Sequence, residues 1–315
     1  MFFCSPFKLK RKGIMGMNQR NCAYIGRYNP RKLYPLVDNK LKTKIIARDA
    51  DVTTPALLGV ISMQVEVQNV ESFIKNTPGF VIKPAKGSGG KGILVITKIE
   101  NGRYFKANGS EESLSEIKRH VTDILAGLFS LGGSLDVAVI EALIQFDNAF
   151  EGFSFEGVPD VRVIVFKGFP VMAMMRLSTA ASDGKANLHQ GAVGVGIDIT
   201  TGKALHAVQF DRPVKYHPDT NKDLKTLAVP NWNRLLYLAA SCYEMSGMGY
   251  LGTDMVLDRD LGPMLLELNA RPGLAIQTAN GQGILPRLKL IESLGDEHHM
   301  SVAQRISLCQ KHFSL

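Results

Sequence analysis

Between Asp38 and Asp49 (DNKLKTKIIARD) the apolar residues Leu41, Ile45 and Ile46 recur at helical spacing behind Asp38 or Asn39, either of which can cap the first turn. The pattern predicts a helix with those three residues on its inner face. Val70 to Lys75 reads as a second, short helix, and Ser110 to Leu131 carries helical apolar spacing over a longer stretch. The β-branched runs Phe80 to Ile82 and Ile93 to Ile96 predict two strands around a glycine-rich loop, and Leu135 to Ile144 predicts a buried strand. Val161 to Phe166 and Val171 to Met175 flank Lys167-Gly168-Phe169-Pro170, a hairpin signal, and a second hairpin is expected to turn at Thr201-Gly202. Asn231 to Met245 predicts a helix ending near Gly247, followed by strands Leu251 to Leu257 and Met264 to Leu268 that pair across residues 258 to 262. Antiparallel hairpins dominate, which argues against the strict strand and helix alternation of a doubly wound sheet.

Composition narrows the class. With 315 residues and 45% hydrophobic content, the chain can bury a sizeable core as one multi-lobed unit or two domains. No apolar run is long enough to span a bilayer, and Met1 to Phe7 is too short and too interrupted for a signal peptide, so the expectation is a cytoplasmic protein without a membrane span. Cys4, Cys22, Cys242 and Cys309 are widely separated and suggest free thiols rather than a disulfide or zinc framework. The net charge of +8 is concentrated at the start: residues 1 to 48 hold twelve Lys or Arg and a single acid, Asp38. Such an arm suits nucleic acid, an anionic membrane or an acidic partner, or simply a solvated surface. Met15 and Met17 are alternative starts, which would place the run Lys8 to Lys12 ahead of the folded part.

Gly87-Ser88-Gly89-Gly90-Lys91-Gly92 matches the G-x-G-x-x-G pattern of dinucleotide sites, but that pattern needs a helix next, and Ile93 to Ile96 is strand-like. It is not a Walker A loop either, since Gly92 stands where Ser or Thr should follow the lysine. What remains is a strand-loop-strand flap whose backbone N–H groups can close over phosphates, with Lys83 on the entering strand in reach. A glycine-rich hairpin tip without a ligand is the plainer alternative.

Near the C-terminus, Asp254 lies on one strand while Glu267 and Asn269, two apart on the next, share a face. Three oxygen donors suit magnesium, completed by water and phosphate. A salt bridge is the bland alternative. Asp160 and Arg162 open one strand of the central hairpin, Arg176 closes the other, and Lys185, Asn187 and His189 follow, a cluster able to bind a carboxylate and phosphates. His189 serves equally as a structural histidine and is left out of the catalytic set.

The motifs DNKLKTK, FVIKPAKGSGGKGI, PDVRVIVFKGFPVMAMMR, ANLHQGAVG and LLELNARPGL, in this order, resemble the ATP-grasp superfamily, most closely the RimK-type glutamate ligases and their alpha-L-glutamate ligase-like relatives, from Tyr34 to Gln282. The resemblance implies an α+β (mixed α/β) ATP-grasp fold, two lobes with antiparallel hairpins gripping ATP, and a shortened N-terminal region. It divides the chain into a basic segment and helix (1–54), a small lobe with the flap (55–144) and a large lobe with the magnesium and substrate site (145–315). It implies phosphate contacts for Lys40, Lys83, Lys185 and the flap residues Gly87, Ser88, Gly89, Gly90 and Gly92. Adenine contacts fall on Glu141, Ala142 and Leu143, and Asp160 matches the acid that opens the D-x-R strand. Arg176 matches the arginine that ends the hairpin, and Asp254, Glu267 and Asn269 match the ligands of magnesium, expected as two ions, with manganese as an option; Arg176 and Arg271 are expected as the catalytic arginines, with Arg162 and Asn187 beside them for substrate. Gln277 and Asn280 are expected to line the same pocket.

Three departures stand out. The segment before Asn39 is too short for the usual N-terminal α/β domain, Gln145 to Pro159 is longer than in RimK-type enzymes, and Arg271 replaces a small residue. The resemblance implies a ligase that activates a carboxylate as an acyl phosphate and joins it to an amine, adding glutamate or a similar amino acid to a peptide, protein or small amine. A non-catalytic ATP-binding regulatory module is the alternative, and a nucleic-acid contact through the basic arm is a third.

Overall fold

The computed structural model of the protein describes residues 5–87, 89–295 and 300–313 of the 315. They form two compact units. The smaller comprises Asp38–Ile45 and Thr54–Gln145; the larger takes the described residues up to Val37, Ile46–Thr53 and those from Phe146 onward.

In the smaller unit the strands are β1 (Leu57–Ile61), β2 (Phe80–Pro84), β3 (Leu94–Ile96), the short meander β4 (Lys98–Glu100), β5 (Arg103–Phe105) and β6 (Glu111–Glu112), and β7 (Ala138–Ala142). Four make an antiparallel sheet in the order β1-β7-β2-β3, and β4 to β6 form a separate three-stranded sheet. Phe80, Ile82, Ile96 and Ile140 bury one side of the four-stranded sheet together with Ile117, Val121 and Ile124 of the helix Leu114–Leu125. That helix is shorter than the apolar spacing predicts. Ser113 and Glu116 form a reciprocal cap at its start, and Gly127, at a φ of +82°, follows its end.

The helix Lys40–Asp49 forms as predicted, but the apolar face does not. It buries Thr43, Lys44 and Ala47, while Ile45 is 43% exposed. On the buried side the Lys44 ammonium pairs with the carboxylate of Glu141, itself buried on β7, and donates to the Pro55 carbonyl, and Ala47 is a core residue.

The larger unit is built on seven antiparallel strands, β8 (Asp160–Phe166), β9 (Phe169–Leu177), β10 (Val193–Ile197), β11 (Ala204–Gln209), β12 (Arg212–Pro213), β13 (Tyr250–Asp258) and β14 (Gly262–Asn269), in the order β12-β11-β10-β9-β8-β13-β14. Lys167 and Gly168, both at positive φ, make the two-residue turn between β8 and β9, so Phe166 pairs with Phe169 and the register of the whole hairpin is fixed. The register sends Val161, Val163 and Val165 to one face, into a core shared with Leu235, Leu236, Ala239 and Cys242 of the helix Trp232–Ser246. That helix ends at Gly247 in the left-handed conformation, as expected. The alternate positions Asp160 and Arg162 then lie on the opposite face.

Before Lys40 the described residues contain short helical pieces and no strand. They are not a loose arm. The Asn29 amide donates to the carbonyls of Tyr250 and Ala270 at 2.7 and 3.0 Å and accepts from the Tyr250 N–H at 2.8 Å, while Tyr24 and Tyr28 pack edge-on against Phe166. Cys22, Cys242 and Cys309 are free thiols, the last two buried; Cys4 lies outside the described residues.

Candidate active site

On the larger unit's sheet, strand register alone assembles a charged stripe. Asp160 pairs with Arg176, Arg162 with Asp254, and Asp254 with Glu267, while Asn269 pairs with Gly252. Pairing partners share a face, so six polar side chains from four adjacent strands stand on one side of the sheet. Leu266 is the extra residue of a bulge between Leu265 and Glu267, and the bulge restores Glu267 and Asn269 to that face. Gly252 leaves space for the stripe: a Cβ there would sit 3.0 Å from Arg162 Cδ and 2.9 Å from Pro272 Cβ.

The guanidiniums are engaged within the stripe. Arg162 grips both Asp254 oxygens, with Nη2 to Oδ2 at 2.7 Å. Arg176 grips both Asp160 oxygens at 2.5 and 2.7 Å and also reaches Asp254 Oδ2 at 2.8 Å. Burial pushes the Asp160 carboxyl up to about 6 despite Arg176. Burial would raise Asp254 too, but Arg162 and Arg176 together more than reverse it and hold that carboxyl below its ordinary value. Burial works against the charge of Arg176, and the two aspartates overcome it, so its pKa lies above the ordinary value. Arg162, expected to meet substrate, has its fork committed to Asp254.

The remaining expected residues lie further out. Arg271 is exposed and stacks over the Tyr34 ring at 4.5 Å, while its N–H donates to Asn269 Oδ1 at 2.9 Å and fixes that amide. Lys185 pairs with Asp183 at 3.0 Å on the surface, and the Asn187 side chain accepts from the His189 N–H at 3.1 Å. Gln277 and Asn280, expected in the pocket, are buried and hold backbone: Gln277 bonds both N–H and carbonyl of Met15, and Asn280 donates to the carbonyls of Ala173 and Ile276.

The chemistry of the donor set matches what magnesium requires. Asp254, Glu267 and Asn269 are all oxygen donors on one face, and a carboxylate holding two guanidiniums keeps lone-pair capacity. Among the described residues no three His, Cys, Asp or Glu side chains converge, so the set depends on the amide of Asn269. The residues fit magnesium and suit neither zinc nor a soft metal.

The smaller unit carries the second cluster. Glu141 points inward from β7 and is ion-paired to Lys83 at 2.7 Å and to Lys44 at 3.0 Å, all three nearly buried. Ala142 donates its N–H to the Ala56 carbonyl, and Leu143 packs beside Gly79. Lys40 Nζ donates to the Gly87 carbonyl at 2.7 Å. Asp136 accepts the Lys86 N–H with both oxygens and the Ser130 hydroxyl at 2.6 Å, which fixes the start of the flap. His120 Nε2 lies 3.0 Å from the Gly92 carbonyl and its ring tilts against Phe129, onto which Gly92 packs. Both ends of the flap are thus held, while Gly89 and Gly90 are at positive φ and exposed, in space where a Cβ would meet nothing. Ser88 lies outside the described residues. Lys44, Asp136 and His120 were missed in the sequence. Lys44 had a signal in its four-residue spacing from Lys40, whereas Asp136 and His120 are distant from the loop they hold.

The family model described as sugar-transfer associated ATP-grasp matches residues 19–293. The chain belongs to that family. This sugar-transfer associated ATP-grasp chain is also similar to solved structures. One is the ATP-grasp ligase PsnB complexed with minimal precursor, at 15% identity and a TM-score of 0.45, covering 83% of this chain and 60% of PsnB. The D-cycloserine synthetase DcsG gives 15% identity and 0.48, covering 92% and 82%, and the D-alanine–D-alanine ligase of Bacillus anthracis gives 14% and 0.46, covering 90% and 72%. The chain spans only 60% of the length of PsnB. A search of the curated proteins finds no match.

Proposed function

We propose that the protein is an ATP-dependent carboxylate-amine ligase. The observation that carries the reading is the buried stripe Asp160, Arg176, Asp254 and Arg162 continued in register by Glu267 and Asn269. Burying four charges is costly and is offset here by their mutual pairing, and the fixed array of acids and guanidiniums that results is a preorganised field suited to a phosphoryl transfer toward a carboxylate. Membership of an ATP-grasp family and the named ligases among its structural relatives agree with it.

In this reading a substrate carboxylate attacks the γ-phosphorus of ATP, releasing ADP, and an amine then displaces phosphate from the acyl phosphate. Asp254, Glu267 and Asn269 would hold magnesium, which when bound spreads the charge of the transferring phosphoryl group. Arg176 offsets repulsion between the two anions, and Arg162 and Asp160 hold Asp254 and Arg176 in place. Lys83 and Lys40 meet phosphates, Glu141 to Leu143 the adenine, and the flap residues 87–92 exclude water from an intermediate that would hydrolyse. Arg271, replacing a small residue of the RimK-type pattern, would meet the substrate. Glutamate is the first acid to test, on the strength of the RimK-type motifs.

The test is magnesium-dependent ADP release across a panel of acids, each with and without amines. Release that requires one acid and is lost in Glu267→Gln supports the ligase. ATP binding without turnover under every combination, unchanged by Glu267→Gln, would favour a regulatory module.

A further inference from the structure

The basic segment is absorbed by none of these roles, and the structure gives it a definite place. Pro6–Arg11 is a helix with no buried residue, presenting Lys8, Lys10 and Arg11 to solvent, with Lys12 exposed after it. Phe7 is 81% exposed and Met17 65%, and Leu9 is also exposed. Among the described residues none of the four cations has an ion-pair partner. The helix is held by its C-terminal end: the carbonyls of Lys12 and Gly13 accept the N–H groups of Gly283 and Leu285 at 3.2 and 3.1 Å. Gly13, at a φ of +68°, lies so close to Pro286 that a Cβ would sit 2.4 Å from its ring. The segment is therefore a fixed projection, whose charge and apolar groups are offered outward.

We infer that this projection binds the surface of an anionic lipid bilayer, with Phe7 entering the headgroup region beside Arg11, its neighbour one turn on, and Lys8, Lys10 and Lys12 adding cations that neutralise lipid charge. The complementarity is twofold, exposed apolar side chains interleaved with unpaired cations, the combination that holds peripheral proteins to membranes. No helix among the described residues is long and apolar enough to cross a membrane. Nucleic acid is the competing partner, and the structure removes its platform. Tyr24 and Tyr28 are packed against Phe166 and Tyr250, and Tyr34 lies under Arg271, so among the described residues of the basic region Phe7 is the one ring presented outright, too few for the successive stacking that holds a single strand.

The test is co-sedimentation of the full chain with phosphatidylcholine vesicles, with and without phosphatidylglycerol. Binding is expected only with the anionic lipid and is expected to weaken steeply as salt rises. Replacing the four cations (Lys8→Gln, Lys10→Gln, Arg11→Gln, Lys12→Gln) should weaken binding on the order of several hundredfold, from about fivefold per charge. Phe7→Ser should weaken it roughly tenfold at every salt concentration. Because the helix buries nothing, both variants should melt with the parent, and ATP-dependent turnover should be unchanged. Failure of the parent to sediment with anionic vesicles, equal sedimentation with neutral ones, or an unaffected fourfold variant would overturn the inference. Tighter binding to single-stranded RNA than to the vesicles at the same salt would overturn it in favour of nucleic acid.

Discussion

Arg162 lies along Asp254 in a two-pronged ion pair that leaves both side chains buried. Directly across the ladder, each is the other's register partner, so the pair is fixed by backbone as well as by charge. Removing one partner of such a pair leaves a buried charge partly compensated. Arg162→Ala should destabilise the larger unit by about 3–5 kcal/mol, or somewhat less because Arg176 still reaches Asp254. Urea denaturation measures this. Arg162→Ala should also reduce turnover through Asp254, whereas an Arg162 that merely bound substrate would raise KM and leave stability unchanged.

Asp160 gives the stability a pH dependence with an unusual sign. Its carboxyl is raised from 3.8 to about 6 by burial, so the folded state holds a proton that the unfolded state has already lost. Between those values stability falls as pH rises, and above about 6 this contribution is flat. Asp160→Asn should abolish that slope while leaving the rest of the profile intact. Denaturation midpoints of parent and variant from pH 4 to 7 would decide it; parallel profiles would refute the assignment.

The hairpin between β8 and β9 was legible in the sequence because its determinants are local: Lys167-Gly168 supplies two positive-φ positions, and two-residue periodicity on either side fixes which residues face the core. The same periodicity puts Glu267 and Asn269 on one face of their strand, but not beside Asp160 and Arg176. What could not be read is which charges meet. Arg162 and Asp254 are 92 positions apart, and nothing near Arg162 distinguishes an arginine that grips a carboxylate from one that awaits a substrate. The helix Lys40–Asp49 misled for the same reason. Its apolar pattern favours burying Ile45, but the buried side carries Lys44, whose partner Glu141 lies on a strand far along the chain. The basic segment looked like a free arm because the amide of Asn29 finds its partners at Tyr250 and Ala270, far along the chain.

His120 should act on the flap without touching nucleotide. Burial lowers its pKa below 6.5, so the neutral ring is the form that the folded unit accommodates beside Gly92 and Phe129. Its contribution is fully present above pH 6.5 and is lost as pH falls from there toward the folded-state value. His120→Ala frees the far end of the flap, and KM for ATP should rise several-fold, on the order of one lost hydrogen bond, with kcat less affected. Steady-state kinetics at pH 7.5 would check this. A variant with parental KM and faster flap proteolysis would assign His120 to stability alone.

Lys44 and Lys83 share Glu141, and the two lysines are not equivalent. Burial lowers the pKa of Lys44 below its ordinary value, only partly opposed by Glu141, so burial works against the charge of Lys44. Glu141→Gln removes the one carboxylate that serves both, leaving two ammonium groups in a buried site, and should cost about 3–5 kcal/mol. Lys44→Met should cost much less, since it removes a strained charge and leaves Glu141 paired with Lys83 at 2.7 Å. In the double variant Lys44→Met, Glu141→Gln the loss should be smaller than in Glu141→Gln alone. Thermal melts of the three proteins test the ordering, and equal destabilisation by Lys44→Met and Glu141→Gln would show that Lys44 is held charged and is as necessary as the carboxylate.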